Sequence, residues 1–350
     1  MVAILVALGM AFFLIKSRWN YLRLPELPVV GGAAPADLTV IIPARNEEGN
    51  IERVVRSFPG VPVIVVDDDS KDRTAELARA AGAEVIPAPP LLRGVMGKPN
   101  ACLAGARACD SRWILFVDAD TWYEPDFLPS LMSYFKKESL VAGSVFLRQD
   151  RRTLAEKLLM PYAFALYFCG VNGRSVNDLQ SREALANGQC LLFRRDAYDF
   201  INGHKAALGS VIEDVALARV MKRHRIDARV MRAEHLGSVR MYDSFAAIWR
   251  GFQKNSFRFL LANLGSGIQV VVASILLTSY VPVLWWLAFK GMLVGAVVFA
   301  VLPSLLLLPW YGSIAAIFAP LAIYFFQLVA LNGMVTTLVG AKAIWKGRRV

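Results

Sequence analysis

An α/β domain built on a parallel sheet, set between an N-terminal apolar helix and C-terminal transmembrane helices, is the fold that this 350-residue sequence predicts. Three observations predict it. Short apolar runs alternate with amphipathic segments from residue 38 to 117, the signature of βαβ units with helices on both faces of a sheet. Residues 259–289 and 291–341 carry no charge, with Lys290 alone between them. Polar clusters at 44–47, 67–70 and 118–120 close three of the apolar runs, and ligands of such sheets bind beyond the carboxyl ends of the strands.

Taken in order, residues 25–35 are a Pro/Gly-rich linker. Leu38-Thr-Val-Ile-Ile-Pro43 is the first strand and 47–58 the first helix. A second strand, 61–66, ends at Asp67-Asp68-Asp69-Ser70, and a helix, 72–81, stops at Gly82. A short strand at 84–87, a helix at 99–109 and the strand 113–117 follow, the last delivering Asp118. Within 67–70 two roles compete. Asp69 or Ser70 can cap the following helix, and Asp67 or Asp68 can accept hydrogen bonds from a base or ribose. No Gly-x-Gly-x-x-Gly and no Gly-Lys-Ser/Thr loop follows the first strand, which argues against a dinucleotide dehydrogenase and a P-loop NTPase. Carboxylates at strand ends suit a nucleotide bridged by a hard divalent cation.

The membrane segments follow from length. The chain is 56% hydrophobic with a mean hydropathy of +0.44. A crossing needs roughly 20 apolar residues. The C-terminal region therefore divides into spans at 267–289, 291–308 and 314–338, broken at Pro309-Trp-Tyr-Gly-Ser313. Residues 1–15 are also uncharged, and Lys16, Arg18 and Arg23 with Trp19 and Tyr21 make an interfacial anchor whose basic side is cytoplasmic. A cleaved signal is the alternative, but the basic n-region is missing. One conflict arises. With the first helix crossing and 16–260 cytoplasmic, three more spans put Lys342, Lys346, Arg348 and Arg349 outside, against the charge rule. A re-entrant or hairpin element within 291–340 would resolve it. The net charge of +11 is read as contact with a membrane surface rather than with nucleic acid, because many charges flank apolar segments. Cys102, Cys109, Cys169 and Cys190 lack metal-ligand spacing and read as reduced and structural.

Five motifs stand in order: Val40-Ile-Ile-Pro-Ala-Arg-Asn-Glu47, Val65-Val-Asp-Asp-Asp-Ser-Lys-Asp-Arg-Thr74, Gly97-Lys-Pro-Asn100, Asp118-Ala-Asp120 and Glu213-Asp214. Over about residues 37–258 the chain resembles the family 2 inverting glycosyltransferases of the GT-A nucleotide-diphospho-sugar fold. Asn187-Gly-Gln189, Phe193-Arg-Arg195, Arg240-Met-Tyr242 and Gly251-Phe-Gln-Lys-Asn255 narrow the resemblance to membrane enzymes that glycosylate carotenoid acids, the diaponeurosporenoate glucosyltransferase-like group. The Gln-x-x-Arg-Trp of processive relatives is absent, and Lys254-Asn255 occupies that stretch, which favours a single transfer. The implied organisation is an anchor at 1–24, a GT-A domain at 37–243, an interfacial helix at 244–262, a transmembrane region at 266–341 and a basic tail at 342–350.

The resemblance implies roles. Pro43, Ala44, Asn46, Glu47, Asp67, Asp68, Lys98, Asp118 and Lys254 would hold the nucleotide-sugar donor. Asp120 would hold Mg2+ or Mn2+, and Asp214, beside Glu213, would deprotonate the acceptor. Capping of the helix 215–223 is the competing role for Glu213-Asp214. A carboxylic-acid acceptor is already ionised near neutral pH and leaves a base little to remove. Phe245, Ile248, Trp249, Phe252, Phe259 and Leu260 share one helical face opposite Arg250, Lys254 and Arg258, an interfacial pattern that points to a lipid acceptor. The expected protein is a multi-pass enzyme of the inner cell membrane with a cytoplasmic catalytic domain. It moves one sugar, glucose from UDP-glucose by resemblance, to a lipid or carotenoid-type acceptor. A polyprenyl phosphate acceptor is the alternative within the same chemistry, and a non-catalytic scaffold or transporter the alternative outside it.

Overall fold

The computed structural model describes residues 1–350 apart from 34, 211, 263, 340–343, 346, 347 and 350, and leaves out the side chains of 254–264 and of 340–350. In chain order the elements are α1 (Val2–Leu22), β1 (Leu38–Ala44), α2 (Ile51–Arg56), β2 (Val63–Asp67), α3 (Thr74–Ala80), β3 (Glu84–Pro87), α4 (Gly97–Arg107), β4 (Trp113–Val117), β5 (Thr121–Tyr123), α5 (Phe127–Lys137), β6 (Ala142–Phe146), β7 (Arg148–Gln149), α6 (Leu154–Gly170), β8 (Cys190–Arg194), α7 (Arg195–Phe200), α8 (Glu213–Arg223), β9 (Ala228–Arg232), β10 (Gly237–Val239), α9 (Phe245–Ala262), α10 (Leu264–Thr278), α11 (Tyr280–Phe289), α12 (Leu293–Tyr311) and α13 (Ala319–Leu338). They fall into two compact units. An α/β unit comprises Leu24–Asp150 and Ser175–Met241, and a helical unit comprises Met1–Arg23, Arg151–Arg174 and Tyr242–Arg349.

The α/β unit holds a sheet of order β3-β2-β1-β4-β8-β6-β9. The first four strands are parallel, as the alternation predicts, but β8 runs antiparallel between β4 and β6, so the whole sheet is mixed. Successive residues serve opposite faces. Val40, Ile42, Val65 and Leu115 pack with Phe127 and Leu131, while Ile41, Ile64, Ile114 and Phe116 pack with Ala101, Cys102 and Leu217. Burial on both faces is why these strands read as unbroken apolar runs.

Several expected helix starts move. The first expected helix, from 47, begins only at Ile51, because the backbone N–H groups of 46–48 are spent elsewhere. Asn46 takes φ of 52° and donates to Ser70 Oγ at 3.0 Å, Glu47 donates to Thr74 Oγ1 at 2.7 Å, and Glu48 donates to Asp72 Oδ2 at 3.1 Å. The same bonds overturn the capping role of Asp69 and Ser70. Asp69 has φ of 59°, Ser70 faces Asn46, and Asp72 Oδ1 accepts from the Thr74 N–H at 3.1 Å where α3 begins. The helix expected at 99–109 starts two residues earlier, at Gly97.

The helical unit is organised on α6, which is uncharged from Leu158 to Gly170. A capping box starts it: Thr153 Oγ1 accepts from the Glu156 N–H, and Glu156 accepts from the Thr153 N–H at 2.5 Å. The helices α1, α10, α12 and α13 pack on it. The first helix is therefore part of a bundle. It runs through Lys16 and Arg18 to Leu22, and buried Ser17 and Asn20 donate to the carbonyls of Ala165 and Phe168 at 2.5 and 2.9 Å. Lys16 Nζ reaches Gln269 Oε1 and the Cys169 carbonyl rather than marking the helix end. Among the described residues four helical stretches, Val2–Leu22, Gly265–Phe289, Leu293–Tyr311 and Ile314–Leu338, are long and apolar enough to cross a membrane. The last two fill the region where a re-entrant or hairpin element is expected, joined through Gly312 in the left-handed conformation.

The stretch Gly265–Phe289 is interrupted at Ser279, and Pro282 explains it. Proline has no N–H to return to the carbonyl four residues back, that of Thr278. Tyr324 of α13 repairs the gap. Its hydroxyl donates to the Thr278 carbonyl at 2.6 Å and accepts from the Val281 N–H at 3.3 Å. Tyr324→Phe strands both groups and is expected to cost about 1–3 kcal/mol. Thermal unfolding of the purified protein in detergent checks this; an unchanged midpoint would remove Tyr324 from the account.

Candidate active site

The α/β unit brings four segments together beyond the carboxyl end of β4. Asp118 follows β4, Lys98 stands in the first turn of α4, and Glu213 and Asp214 open α8. Gly188 lies just before β8. Lys98 Nζ bridges two carboxylates, 2.8 Å from Asp118 Oδ1 and 2.8 Å from Glu213 Oε1, and donates to the Gly188 carbonyl at 3.3 Å. The peptide N–H of Gly188 donates to Asp214 Oδ2 at 2.8 Å, and Asp214 Oδ1 accepts from the Val215 N–H at 2.8 Å. One glycine thus touches the cation with its carbonyl and Asp214 with its amide.

Electrostatics separates the two neighbouring acids. Burial acts to raise the Glu213 carboxyl, but the Lys98 ammonium outweighs it and holds Glu213 below the usual range. Among the described residues no cation pairs directly with Asp214. Burial and then the negative charge of Glu213 push it up to about 7, with Lys98 and the Gly188 and Val215 amides offsetting part. Asp118 is raised by burial, partly countered by Lys98. Burial acts to lower Lys98, but Asp118 and Glu213 raise it well above the usual lysine value and keep it charged. Neighbouring groups driven to different protonation at one pH mark acid–base sites. Glu213 and Asp214 do lie in the first turn of α8, yet neither caps it through the N-cap position, which is Ile212.

The expected donor loops form a second, interlocked cluster. The Ala44 carbonyl accepts from the Asp68 N–H at 2.8 Å, the Asn46 side chain accepts from the Lys71 N–H at 2.8 Å, and Asp67 Oδ1 accepts from the Ser70 N–H at 3.3 Å. Glu47 accepts from Asn50 Nδ2 at 3.0 Å, and its charge also acts on Asp118. Pro43 lines a narrow pocket with Lys98, Asp118, Gly188 and His204, which joins the two clusters. Asp68 is buried, so the outward-facing acid of that pair is Asp67. Asp120 is half-buried at the start of β5, its carbonyl accepting from the Arg240 N–H at 3.0 Å. Among the described residues no three His, Cys, Asp or Glu side chains gather at metal-binding distance. The Lys254 side chain lies outside the described residues.

Two residues of the site were not singled out as site residues from sequence. Gly188 belongs to the Asn187-Gly-Gln189 segment, but nothing in its type announces a role. A Cβ there would stand 2.9 Å from Lys98 Nζ, 3.2 Å from Asp214 Oδ2 and 3.2 Å from Glu213 Oε1, which only a glycine avoids. His204, one of three histidines, carries no motif.

A mixed α/β sheet with this cluster at its strand ends, in a chain with an N-terminal apolar helix and three C-terminal candidate membrane helices, is the GT-A glycosyltransferase fold. The mannosyltransferase PcManGT from Pyrobaculum calidifontis, solved with GDP-Man and Mn2+, has the same fold: TM-score 0.59 at 16% identity, over 96% of this chain and 98% of that one. Residues 39–201 match the family model described as glycosyl transferase family 2. A 4,4'-diaponeurosporenoate glycosyltransferase of Staphylococcus haemolyticus (strain JCSC1435) is 29% identical over 244 residues, 64% of this chain and 62% of that protein. Its counterpart in Staphylococcus aureus (strain USA300) is 30% identical over 239 residues, 62% and 60% of the two chains. The chain thus spans about three fifths of the length of these relatives. Glu213 and Asp214 lie beyond the segment that the family model matches.

Proposed function

We propose that this protein transfers one sugar from a nucleoside-diphosphate donor to an apolar, carotenoid- or lipid-type acceptor at a membrane, with inversion. The observation that carries this reading is the arrangement of Lys98, Asp118, Glu213 and Asp214 around Gly188, beside the interlocked loops of 44–47 and 67–70. Those loops and Asp118 hold the nucleoside side of the donor. Lys98 stays charged and fixes the positions of Asp118 and Glu213. Asp214 takes the proton of an acceptor hydroxyl, and a base near the working pH is suited to that task. The matching relatives are named for a carotenoid acid, and UDP-glucose is the donor we expect.

The residues fit a divalent cation. Asp118 and Asp120 supply hard carboxylate oxygens one residue apart at a strand end, and the diphosphate and water complete such a set. Asp118 shares an oxygen with Lys98, which leaves Asp120 the principal ligand. When bound, Mg2+ or Mn2+ neutralises the leaving diphosphate. Asp120→Ala or a chelator is therefore expected to lower transfer by a factor of about 10² or more. Purified enzyme, a panel of UDP- and GDP-sugars and total membrane lipid, read by mass spectrometry, tests the whole reading. A single hexose on an apolar lipid supports it. Full activity of Asp120→Ala with metal chelated sinks the cation's role, and sugar flux without a glycosylated product favours a transporter.

A further inference from the structure

His204 is a buried histidine that the mechanism above leaves unused. The chain is turned sharply to deliver it. Asn202 has φ of 58° and Gly203 of 42°, and a Cβ on Gly203 would lie 2.1 Å from the Tyr198 ring. His204 is 1% exposed, and Phe116 packs against its ring at 4.5 Å between centroids. Tyr198 Oη accepts from the His204 backbone N–H at 3.1 Å and lies 3.0 Å from Nδ1. Among the described residues Nδ1 is the one acceptor within reach of the Tyr198 hydroxyl proton, and a proton given to Nδ1 leaves the ring's own proton on Nε2. Burial holds the imidazole neutral, pushed down to about 3. The ring lines the narrow pocket shared with Pro43, Lys98, Asp118 and Gly188, and among the described residues no group accepts a hydrogen bond from Nε2.

A neutral N–H fixed in place, beside a carboxylate and a separate ammonium, is poorly matched to phosphate and well matched to an alcohol. An alcohol oxygen accepts from an N–H and donates to a carboxylate, and His204 and Asp118, the latter already paired with Lys98, both line this narrow pocket. We propose that His204 is a specificity-determining residue, its Nε2–H donating to a hydroxyl of the sugar carried by the nucleotide donor. This rests on the glycosyl-transfer reading above. Tyr198 is then a positioning residue that selects the tautomer.

The test uses the full chain, with UDP alone as one probe and UDP-glucose, UDP-galactose and deoxyglucose analogues of the donor as the others. His204→Phe is expected to leave the Kd for UDP within about twofold. It should lower kcat/KM for the preferred sugar by about 10–100-fold and reduce its margin over the poorest analogue by at least about tenfold, since an unmet hydrogen bond is what a polar site uses to reject an analogue. His204→Gln, which keeps an N–H, restores part of the margin, and Tyr198→Phe gives an intermediate loss because the ring proton is no longer assigned. Should the phenylalanine variant fail to fold, these two variants carry the comparison. Equal losses across all sugars, or a matching loss of UDP affinity, overturn the proposal and leave His204 a packing residue. A wild-type protein that binds UDP yet turns over no nucleotide sugar would instead refute the glycosyl-transfer reading itself.

Discussion

Gly188→Ala is expected to lower kcat/KM by a factor of about 10², or ~2.7 kcal/mol of transition-state stabilisation, while leaving the fold nearly as stable. The added methyl group has no room. It would sit 2.9 Å from Lys98 Nζ and 3.2 Å from an oxygen of each of Glu213 and Asp214. Lys98 is the group able to withdraw, because its stem is flexible, and its withdrawal breaks both 2.8 Å ion pairs. The Gly188 amide would still reach Asp214. The variant should therefore uncouple Lys98 from Glu213 and leave Asp214 against a less neutralised neighbour, so its pKa rises further. A steady-state assay with thermal melting in parallel checks this. Unchanged kcat/KM would mean that the Lys98–Glu213 contact is dispensable, and a large fall in melting temperature would mean that Gly188 serves packing first.

Asp214→Asn is expected to cost about 10²–10⁴ in kcat with a hydroxyl acceptor. The sign of the pH dependence follows from the raised pKa. A base must be deprotonated, and Asp214 loses its proton only as pH rises through about 7. Activity is then present above that pH and falls as pH drops through it, in a limb that the asparagine variant lacks. The acceptor alters the result in an informative way. A carboxylic acid is ionised well below pH 7, so its glycosylation should show no limb near 7 and little loss in Asp214→Asn. The same variant, assayed on a fatty alcohol and on a carotenoid acid, separates a chemical base from an orienting group. Equal activity to wild type on both would remove Asp214 from the chemistry.

Much of this fold is legible in the sequence because burial on both faces leaves a plain signal. The runs 38–43 and 113–117 can hardly be anything but buried strands, and uncharged stretches as long as 291–341 leave room for helices of membrane-crossing length. Strand ends name the site's address, and Lys98, Asp118, Glu213 and Asp214 do converge there. Helix starts depart from local propensity where tertiary hydrogen bonds outcompete it, as at Asn46, Glu47 and Glu48. The reversed direction of β8 was not readable, since a buried strand looks the same either way. Gly188 and His204 escaped because their importance lies in what surrounds them. A glycine signals only that space is short, and a lone histidine has no spacing to interpret.

The placement of α6 has a bearing on how the chain is made. Both units are discontinuous in sequence, and the segment Arg151–Arg174 interrupts the α/β unit only to serve the helical one. During synthesis α6 emerges before any of α10, α12 and α13, the partners that cover it alongside α1. Until they arrive it is an apolar helix with an incomplete coat, a nascent species that favours aggregation or chaperone capture. The α/β unit, in contrast, has all its strands once Val239 has left the ribosome. Truncation before α10 should therefore spare the sheet and strand α6, so that the lost C-terminal helices are felt first as insolubility.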